Sequence, residues 1–166
     1  MLDWKQLLDD HGAALVLYAR QWCNSHDEAE DAVQEGFLRM HRSKPEKINN
    51  PVPYLYKAVR WAALDRLRSD NRRSVREEKA GEILYEEAPM FQDGLVADEQ
   101  KQAIEKALAK IPPEQREVLV MKIWGGQTFK NIGEALDISL NTAAARYRYA
   151  LAALRKNLPA EAGYAG

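Results

Sequence analysis

Asn141, Thr142, Arg146 and Arg148 fall within eight residues near the C-terminus, and their side chains suit the reading and gripping of a nucleic acid. Asn and Arg can each make two parallel hydrogen bonds to a base edge, and Thr can touch a thymine methyl. Arg also grips phosphate, which fixes register without reading sequence. Covalent or acid–base chemistry finds no comparable set. His11 and His26 lack a Cys/His cluster or a Glu-x-x-His pair and read as structural or surface residues. The single cysteine, Cys23, excludes an internal disulfide and points to a reducing compartment. Beside Trp22 it reads as a small, buried or half-buried side chain.

The polar cluster needs rigid elements to present it. A helix is expected over residues 113–123, with Pro113 in its first turn, where a missing N–H is harmless, and Gly125-Gly126 ending it. A second helix starts after Thr128 as N-cap and carries Ile132, Ala135 and Leu136 on one face. The corner Asp137-Ile138-Ser139 follows. Ser139 then caps a third helix that runs to about Asn157, with Leu140, Tyr147, Leu151, Leu154 and Leu158 as its apolar stripe. Asn141, Thr142, Ala145, Arg146, Arg148 and Tyr149 fall mostly on its other faces. A short helix, a three-residue corner and a longer helix make a helix-turn-helix, whose third element enters a major groove by its N-terminal half. Ala135 is small where two helices would cross, and Ile138 would plug the corner. Asp137 stands where a left-handed backbone favours Gly, but Asp tolerates that conformation better than most residues. An ordinary helical hairpin with a solvated basic face is the plainer alternative. The coincidence of cap, corner, small residue and polar face favours DNA.

Total charge says little, because 24 Lys and Arg oppose 25 Asp and Glu. Its distribution says more. Residues 1–38 hold two bases against eight acids (net −6), and residues 39–76 hold eleven against three (net +8). Residues 77–100 hold one against eight (net −7), and residues 101–158 hold ten against five (net +5). Blocks of one sign point to charged partners. The N-terminus has no basic region leading into an apolar core, so a signal peptide is not expected. No apolar run approaches the roughly 18 residues of a membrane span. A cytoplasmic protein without membrane insertion is the expectation.

The N-terminal half reads as three helices. Residues 2–24 place Trp4, Leu7, Leu8, His11, Leu15, Tyr18, Ala19 and Trp22 on one side. Ser25 or Asp27 can cap the next helix, which runs to about Arg42, with Ala29, Ala32, Val33, Phe37, Leu38 and Met40 as its apolar face. Its other face is Glu28, Asp31, Gln34, Glu35 and Arg39, plainly read as a solvated surface. Residues 43–53, with three prolines and two asparagines, read as a loop. A basic helix follows from Tyr54 to Arg68 or beyond. Lys57, Arg60, Arg66 and Arg68 alternate there with Tyr54, Tyr56 and Trp61. Cations hold phosphates while rings stack bases, so the mixture suits single-stranded or melted nucleic acid. The plainer reading buries Tyr54 and Tyr56, and Trp61 is either a stacking surface or core. Residues 78–97 are acidic with Gly, Pro and scattered apolars, and read as a linker. A last helix, about Asp98 to Lys110, leads into the helix-turn-helix.

Three stretches together resemble one family. DEAEDAVQEGFLRMHR (residues 27–42) is similar to the polymerase-binding helix of bacterial extracytoplasmic-function (ECF) RNA polymerase sigma factors of the sigma-70 family. NPVPYLYKAVRWAALDRLRSDNRR (residues 50–73) is similar to their promoter-melting, −10-reading helix. The stretch from Ile111 to Leu158 is similar to their −35-reading domain. The resemblance covers nearly the whole chain in the family's order. It implies an all-α protein of two small helical domains joined by a flexible acidic linker. Those domains are residues 1–77 (region 2-like) and 98–160 (region 4-like), with 78–97 between them.

The resemblance also implies partners and sites. Asp31, Gln34, Glu35, Phe37 and Arg39 would meet the β′ clamp helices of core RNA polymerase. Lys44, Lys47, Asn49, Asn50, Tyr54, Lys57, Arg60, Trp61, Arg66 and Arg68 would meet the −10 element. Thr128, Ser139, Asn141, Thr142, Ala145, Arg146, Arg148 and Tyr149 would meet the −35 element. An anti-sigma protein is a further expected partner, and no cofactor or metal is implied. The chain departs from the family pattern at Trp61 (usually Asn), Ala143-Ala144 (usually Val-Lys) and Asp137 (usually Gly). The expected function is a promoter-specificity subunit that is not an enzyme. The alternative is a stand-alone helix-turn-helix regulator. That would need a receiver or ligand-binding half, and the N-terminal half shows neither a strand pattern nor a Gly-rich loop.

Overall fold

The computed structural model describes residues 2–43, 49–77 and 98–159, and the side chains of 2–43, 49–72 and 101–159. All regular structure among them is helical: α1 (Trp4–Ala19), α2 (His26–Arg42), α3 (Pro51–Glu77), α4 (Asp98–Ala109), α5 (Pro113–Ile123), α6 (Phe129–Leu136) and α7 (Leu140–Asn157). The chain divides into two compact units, one holding α1–α3 and the other α4–α7. The linker expected over residues 78–97 lies outside the described residues.

Local chemistry sets the helix ends. Asp3 caps α1 by accepting from Gln6 N–H at 3.0 Å. Ser25 Oγ caps α2 by accepting from Glu28 N–H at 3.2 Å, while Glu28 accepts from Asn24 N–H, also at 3.2 Å. Asp27 and Glu28 in the first turn and Arg39, His41 and Arg42 in the last complement the helix dipole. The expected loop over 43–53 is too long by three residues, because α3 begins at Pro51. Pro51 and Pro53 both lie in its first turn, where N–H groups have no intrahelical partner and the ring fixes a helical φ.

In the first unit, α2 crosses α3 closely, and α1 packs against both. Ala29, Ala32, Val33 and Met40 of α2 meet a core of Leu55, Tyr56, Val59, Ala62 and Ala63 from α3 and Leu15, Tyr18 and Ala19 from α1. The rings of Tyr18 and Tyr56 pack edge-on at 5.1 Å, and Tyr18 meets Trp22 at 5.0 Å. Gly36 sits at the crossing: a Cβ there would lie 2.5 Å from Val59 Cγ2 and 3.1 Å from the Val59 backbone nitrogen. Two residues expected on apolar faces turn outward, Leu8 at 52% exposure and Leu38 at 48%.

In the second unit, α7 packs against α4, α5 and α6. Its core includes Ile104, Leu108, Ile111, Val118, Leu119, Met121, Ile132, Ala135, Ala143, Ala150 and Leu154. Arg116 reaches from α5 to the Leu108 carbonyl at 3.5 Å, and burial lowers its guanidinium from the ordinary value. The stripe expected on α7 is corrected by packing. Small Ala143 and Ala150 are the buried residues beside Leu154, whereas Leu140 is 52% exposed.

Two outcomes follow for stability. Gly36→Ala is expected to cost about 1–3 kcal/mol, because backbone and a β-branched side chain must both move. Gly12→Ala meets only the exposed Leu8 side chain, at 3.2 Å, and gains helix propensity, so it is expected to be neutral or stabilising. Thermal melting of the two variants checks the contrast. Cys23 is buried, and desolvation pushes its thiol from 9.0 up to about 12, with the Glu28 carboxylate adding to the rise. Native protein at pH 8 is expected to resist alkylation, and denatured protein to react. The unfolded thiol ionises near its ordinary value while the buried one keeps its proton. Stability from this group is therefore complete below pH 9.0 and is lost as pH rises toward 12. Denaturant midpoints compared with those of Cys23→Ala measure it.

Candidate nucleic-acid interface

The helix-turn-helix of the second unit rests on its corner. Thr128 Oγ1 accepts from Asn131 N–H at 3.0 Å, which starts α6. Asp137 closes α6 in the left-handed region (φ 55°, ψ 43°), as expected of the corner's first residue. Ile138 N–H then bonds the Gly133 carbonyl at 3.0 Å. Gly133 is the close-approach residue here, because a Cβ on it would lie 2.7 Å from the Ile138 carbonyl oxygen. The sequence alone points to Ala135 for that part, which is buried two residues on. Ile138 is half-buried in the corner. Ser139 Oγ accepts from Thr142 N–H at 3.0 Å and donates to Thr142 Oγ1 at 2.9 Å. Both hydroxyls therefore build the start of α7 while staying at the surface.

Position on α7 sorts the remaining residues. Asn141, Ala145 and Arg148 follow the i, i+4, i+7 spacing of one face, opposite buried Ala143 and Ala150. Asn141 and Arg148 are exposed, and Tyr149 beside them is 66% exposed. Arg146 lies three residues after Ala143 and four before Ala150, on the flank of the buried side, and is half-buried. The outward face is thus Asn141, Ala145 and Arg148, with Thr142 and Tyr149 along its edge. Phe129 and Tyr147 pack at 5.5 Å behind it, and Lys122 Nζ lies 4.5 Å from the Phe129 ring.

The first unit presents two surfaces that meet along the α2–α3 crossing. On α2, Asp31 and Gln34 are exposed and Glu35 is half-exposed. Leu38, one turn beyond Gln34, joins them, and sequence reasoning had assigned it to the core. Phe37 does not share that face. It turns toward α1 and packs against Trp4, ring centroids 6.2 Å apart. Arg39 points the other way, to α3. Its Nε donates to Glu35 Oε1 at 3.2 Å, and its Cζ lies 3.6 Å from the centre of the Trp61 ring. Farther along, Arg66 Nη1 of α3 lies 3.8 Å from Asp31 Oδ2.

On α3, Tyr54, Lys57 and Trp61 form one stripe at helical spacing, and Arg68 continues it two turns on. Trp61 is 48% exposed and so is not core. Tyr56 is fully buried, and burial raises its phenol above the ordinary range. Arg60 leans toward Trp22, its Cζ 5.8 Å from the ring centre. Asn49 and Asn50 are exposed just before α3. Lys44 and Lys47 lie outside the described residues. A concavity of about 390 Å³ opens beside Trp61, walled by Arg39, Arg42, Ser43, Tyr54 and Lys57. Among the described residues, no group of three or more His, Cys, Asp and Glu could hold a metal ion. No helix among them is long and apolar enough to cross a membrane.

One unit with a basic, aromatic helical face and another with an outward-facing helix-turn-helix define a two-unit, all-helical DNA-binding protein. Comparison with known proteins makes the class specific. The family model for sigma-70 region 2 matches residues 7–73, and that for sigma-70 region 4 matches residues 101–154. The ECF RNA polymerase sigma factor SigL of Mycobacterium tuberculosis is 30% identical over 163 residues, covering 93% of this chain and 88% of SigL. SigK of Mycobacterium ulcerans is 26% identical over 136 residues, covering 80% of this chain and 73% of SigK. Among solved structures, the sigma factor RpoE in complex with the anti-sigma factor NepR from Bartonella quintana shares the fold. It has a TM-score of 0.76 at 20% identity and covers 96% of this chain and 98% of its own. The chain belongs to the ECF RNA polymerase sigma factors of the sigma-70 family. Its function is that of a promoter-recognition sigma subunit of RNA polymerase.

The corner yields a prediction. Only Gly adopts the left-handed region without cost, and Asp tolerates it better than a residue with no side-chain acceptor. Asp137→Ala is expected to lower the melting temperature of the intact protein more than Asp137→Gly. Equal losses would show that the Asp137 side chain, and not its backbone conformation, holds the corner.

Proposed function

We propose that the two units divide promoter recognition between them, and that the exposed face of α2 joins the first to core RNA polymerase. The carrying observation is the patch of Asp31, Gln34 and Leu38, in which a leucine 48% exposed sits among polar side chains on the outward face of α2. An apolar side chain ringed by polar groups is the composition of an interface centre. On this reading Asp31, Gln34, Glu35 and Leu38 meet the β′ clamp helices. Phe37 supports the surface from behind by packing on Trp4.

The α3 stripe of Tyr54, Lys57, Trp61 and Arg68 faces the melted −10 strand. Asn49 and Asn50 stand at its start, and Arg60 and Arg66 lie on its flanks. The α7 face of Asn141, Ala145 and Arg148, edged by Thr142 and Tyr149, faces the −35 duplex, with Thr128 and Ser139 at the helix starts and Arg146 on the flank. The protein acts as a non-catalytic subunit, with chemistry supplied by the polymerase. An anti-sigma protein covering the α2 patch would compete with polymerase, since an exposed leucine can be buried by only one of them at a time.

The test is direct. Core polymerase affinity is measured for Leu38→Ala and for the pair Asp31→Ala with Gln34→Ala, alongside thermal melting. Each is expected to weaken binding about 10-fold or more with an unchanged melting temperature, as befits interface residues whose truncation costs above about 1 kcal/mol. Unchanged affinity in both would remove α2 from the polymerase contact. Arg148→Ala, assayed on promoters varied at the −35 element, separates a base contact from a phosphate contact. Loss of preference at one base pair marks the first, and a uniform loss with a smaller salt slope marks the second.

A further inference from the structure

We propose, resting on the reading of α7 as the −35 surface, that Leu140 is a specificity-determining residue of the −35 contact. It reads the C5 methyl group of one thymine in the major groove, an apolar contact that Asn141 and Arg148 do not supply.

Leu140 is the first residue of α7 and is 52% exposed. The cap at that end is built without it, because Ser139 Oγ accepts from Thr142 N–H at 3.0 Å. Backbone packing fixes the direction of its side chain. A Cβ on Gly133 would lie 3.6 Å from both the Leu140 nitrogen and the Ser139 carbonyl carbon, so α6 stands against the backbone of this turn. The exposed part of the leucine is directed off α6 and into solvent. Every Cα–Cβ bond of a helix tilts toward the N-terminus. The side chain of a first residue therefore leans past the tip of its helix. That tip is the end a recognition helix carries into the groove.

The surroundings name the partner. Ser139, Asn141 and Thr142 beside it are exposed and polar. A leucine among them recovers its apolar area only when something covers it. The segment 101–158 has a net charge of +5, which draws this unit to a polyanion. The major groove of a duplex offers donors, acceptors and one apolar group, the thymine methyl. Leucine can bond none of the polar groups and fits the methyl. One turn on, Ala144 and Ala145 are small, so α7 can approach the duplex closely enough for Leu140 to reach a base edge. Longer side chains there would hold the tip away. Asn141 and Arg148 then take the hydrogen-bonding edges, and Leu140 separates thymine from bases without the methyl.

The experiment uses reconstituted holoenzyme and duplex promoters in which each thymine of the −35 element, on either strand, is replaced in turn by deoxyuridine. The replacement removes one methyl and leaves the hydrogen-bonding edge intact. With the unaltered protein, one position is expected to lose affinity about 3- to 5-fold, the scale of one buried methyl group. Leu140→Ala should lose at least as much on the thymine promoter and should be indifferent to deoxyuridine at that same position. Such non-additivity marks a direct contact between the two groups. Leu140→Met, apolar and of similar volume, should restore most of the sensitivity to the methyl, and Leu140→Asn should not. Core polymerase affinity and melting temperature are expected to stay unchanged in Leu140→Ala.

Asn141→Ala and Arg148→Ala, assayed in parallel, distinguish the ways this can fail. Suppose those two alter −35 preference, but no deoxyuridine position weakens the unaltered protein, or Leu140→Ala keeps its full sensitivity to deoxyuridine. Leu140 then reads no methyl, and the −35 reading of α7 stands. If Leu140→Ala lowers core polymerase affinity and leaves promoter preference intact, the leucine is a protein contact and the same reading stands. If none of the three alanine variants alters −35 binding, the −35 reading of α7 fails and the methyl contact fails with it.

Discussion

The close crossing of α2 over α3 is the constraint on which the first unit depends. Gly36 permits it, because any side chain would run into Val59. Ala29 and Ala32 on α2, with Ala62 and Ala63 on α3, keep the rest of the crossing thin. Only at this separation can a side chain on the rim of one helix touch the other. Arg39 reaches Trp61 and Asp31 reaches Arg66 for that reason. Widening the crossing would separate the acidic surface of α2 from the basic surface of α3. The two surfaces adjoin because the packing beneath them is tight.

The second unit depends on a comparable close approach made within a single corner. A left-handed Asp137 turns the chain, and Gly133 makes room for the Ile138 carbonyl that the turn drives back against α6. The two residues divide one demand. The αL position carries an aspartate, at some conformational cost, while the glycine sits where the steric limit is absolute. A departure from the family's usual Gly at 137 is tolerable because the limit at 133 is kept. The direction of α7, and with it the aim of Asn141 and Arg148, follows from this pair.

Much of the architecture was legible from residues alone. Ser25, Thr128 and Ser139 act as N-caps as their hydroxyls predict, Pro113 opens α5, and Asp137 is left-handed. Such features depend on a few neighbouring atoms. The start of α3 was misplaced because prolines were read as breakers, although a first turn accepts them. Faces were less legible. Leu8, Leu38 and Leu140 are apolar and helically spaced, yet exposed. Spacing gives a stripe's direction only to within a residue or so, and each of these lies at its margin. Phe37, grouped with Asp31 and Gln34 only by the family resemblance, turns to Trp4, as its place on the apolar face of α2 implies. The contact of Arg39 with Trp61 had no signal in the chain. It joins residues 22 positions apart whose proximity the crossing alone decides.

The charged contacts along that crossing are placed for exchange rather than for stability. Glu35–Arg39 and Asp31–Arg66 are each about a third or more exposed, and such pairs contribute roughly 0–1 kcal/mol to folding. Breaking one to satisfy a partner's charge or a phosphate costs little, while the apolar core beneath stays intact. A surface built this way keeps its cations and carboxylates compensated when free and can offer either sign when a partner arrives. It also resists indiscriminate binding, because Arg66 of α3 and Arg39 of α2 are partly neutralised until something competes for Asp31 and Glu35. The alternation of acidic and basic blocks along the chain acquires a structural meaning at this point. The acidic helix lies beside the basic one, tempering the attraction of a +8 segment for any polyanion until a specific contact displaces it.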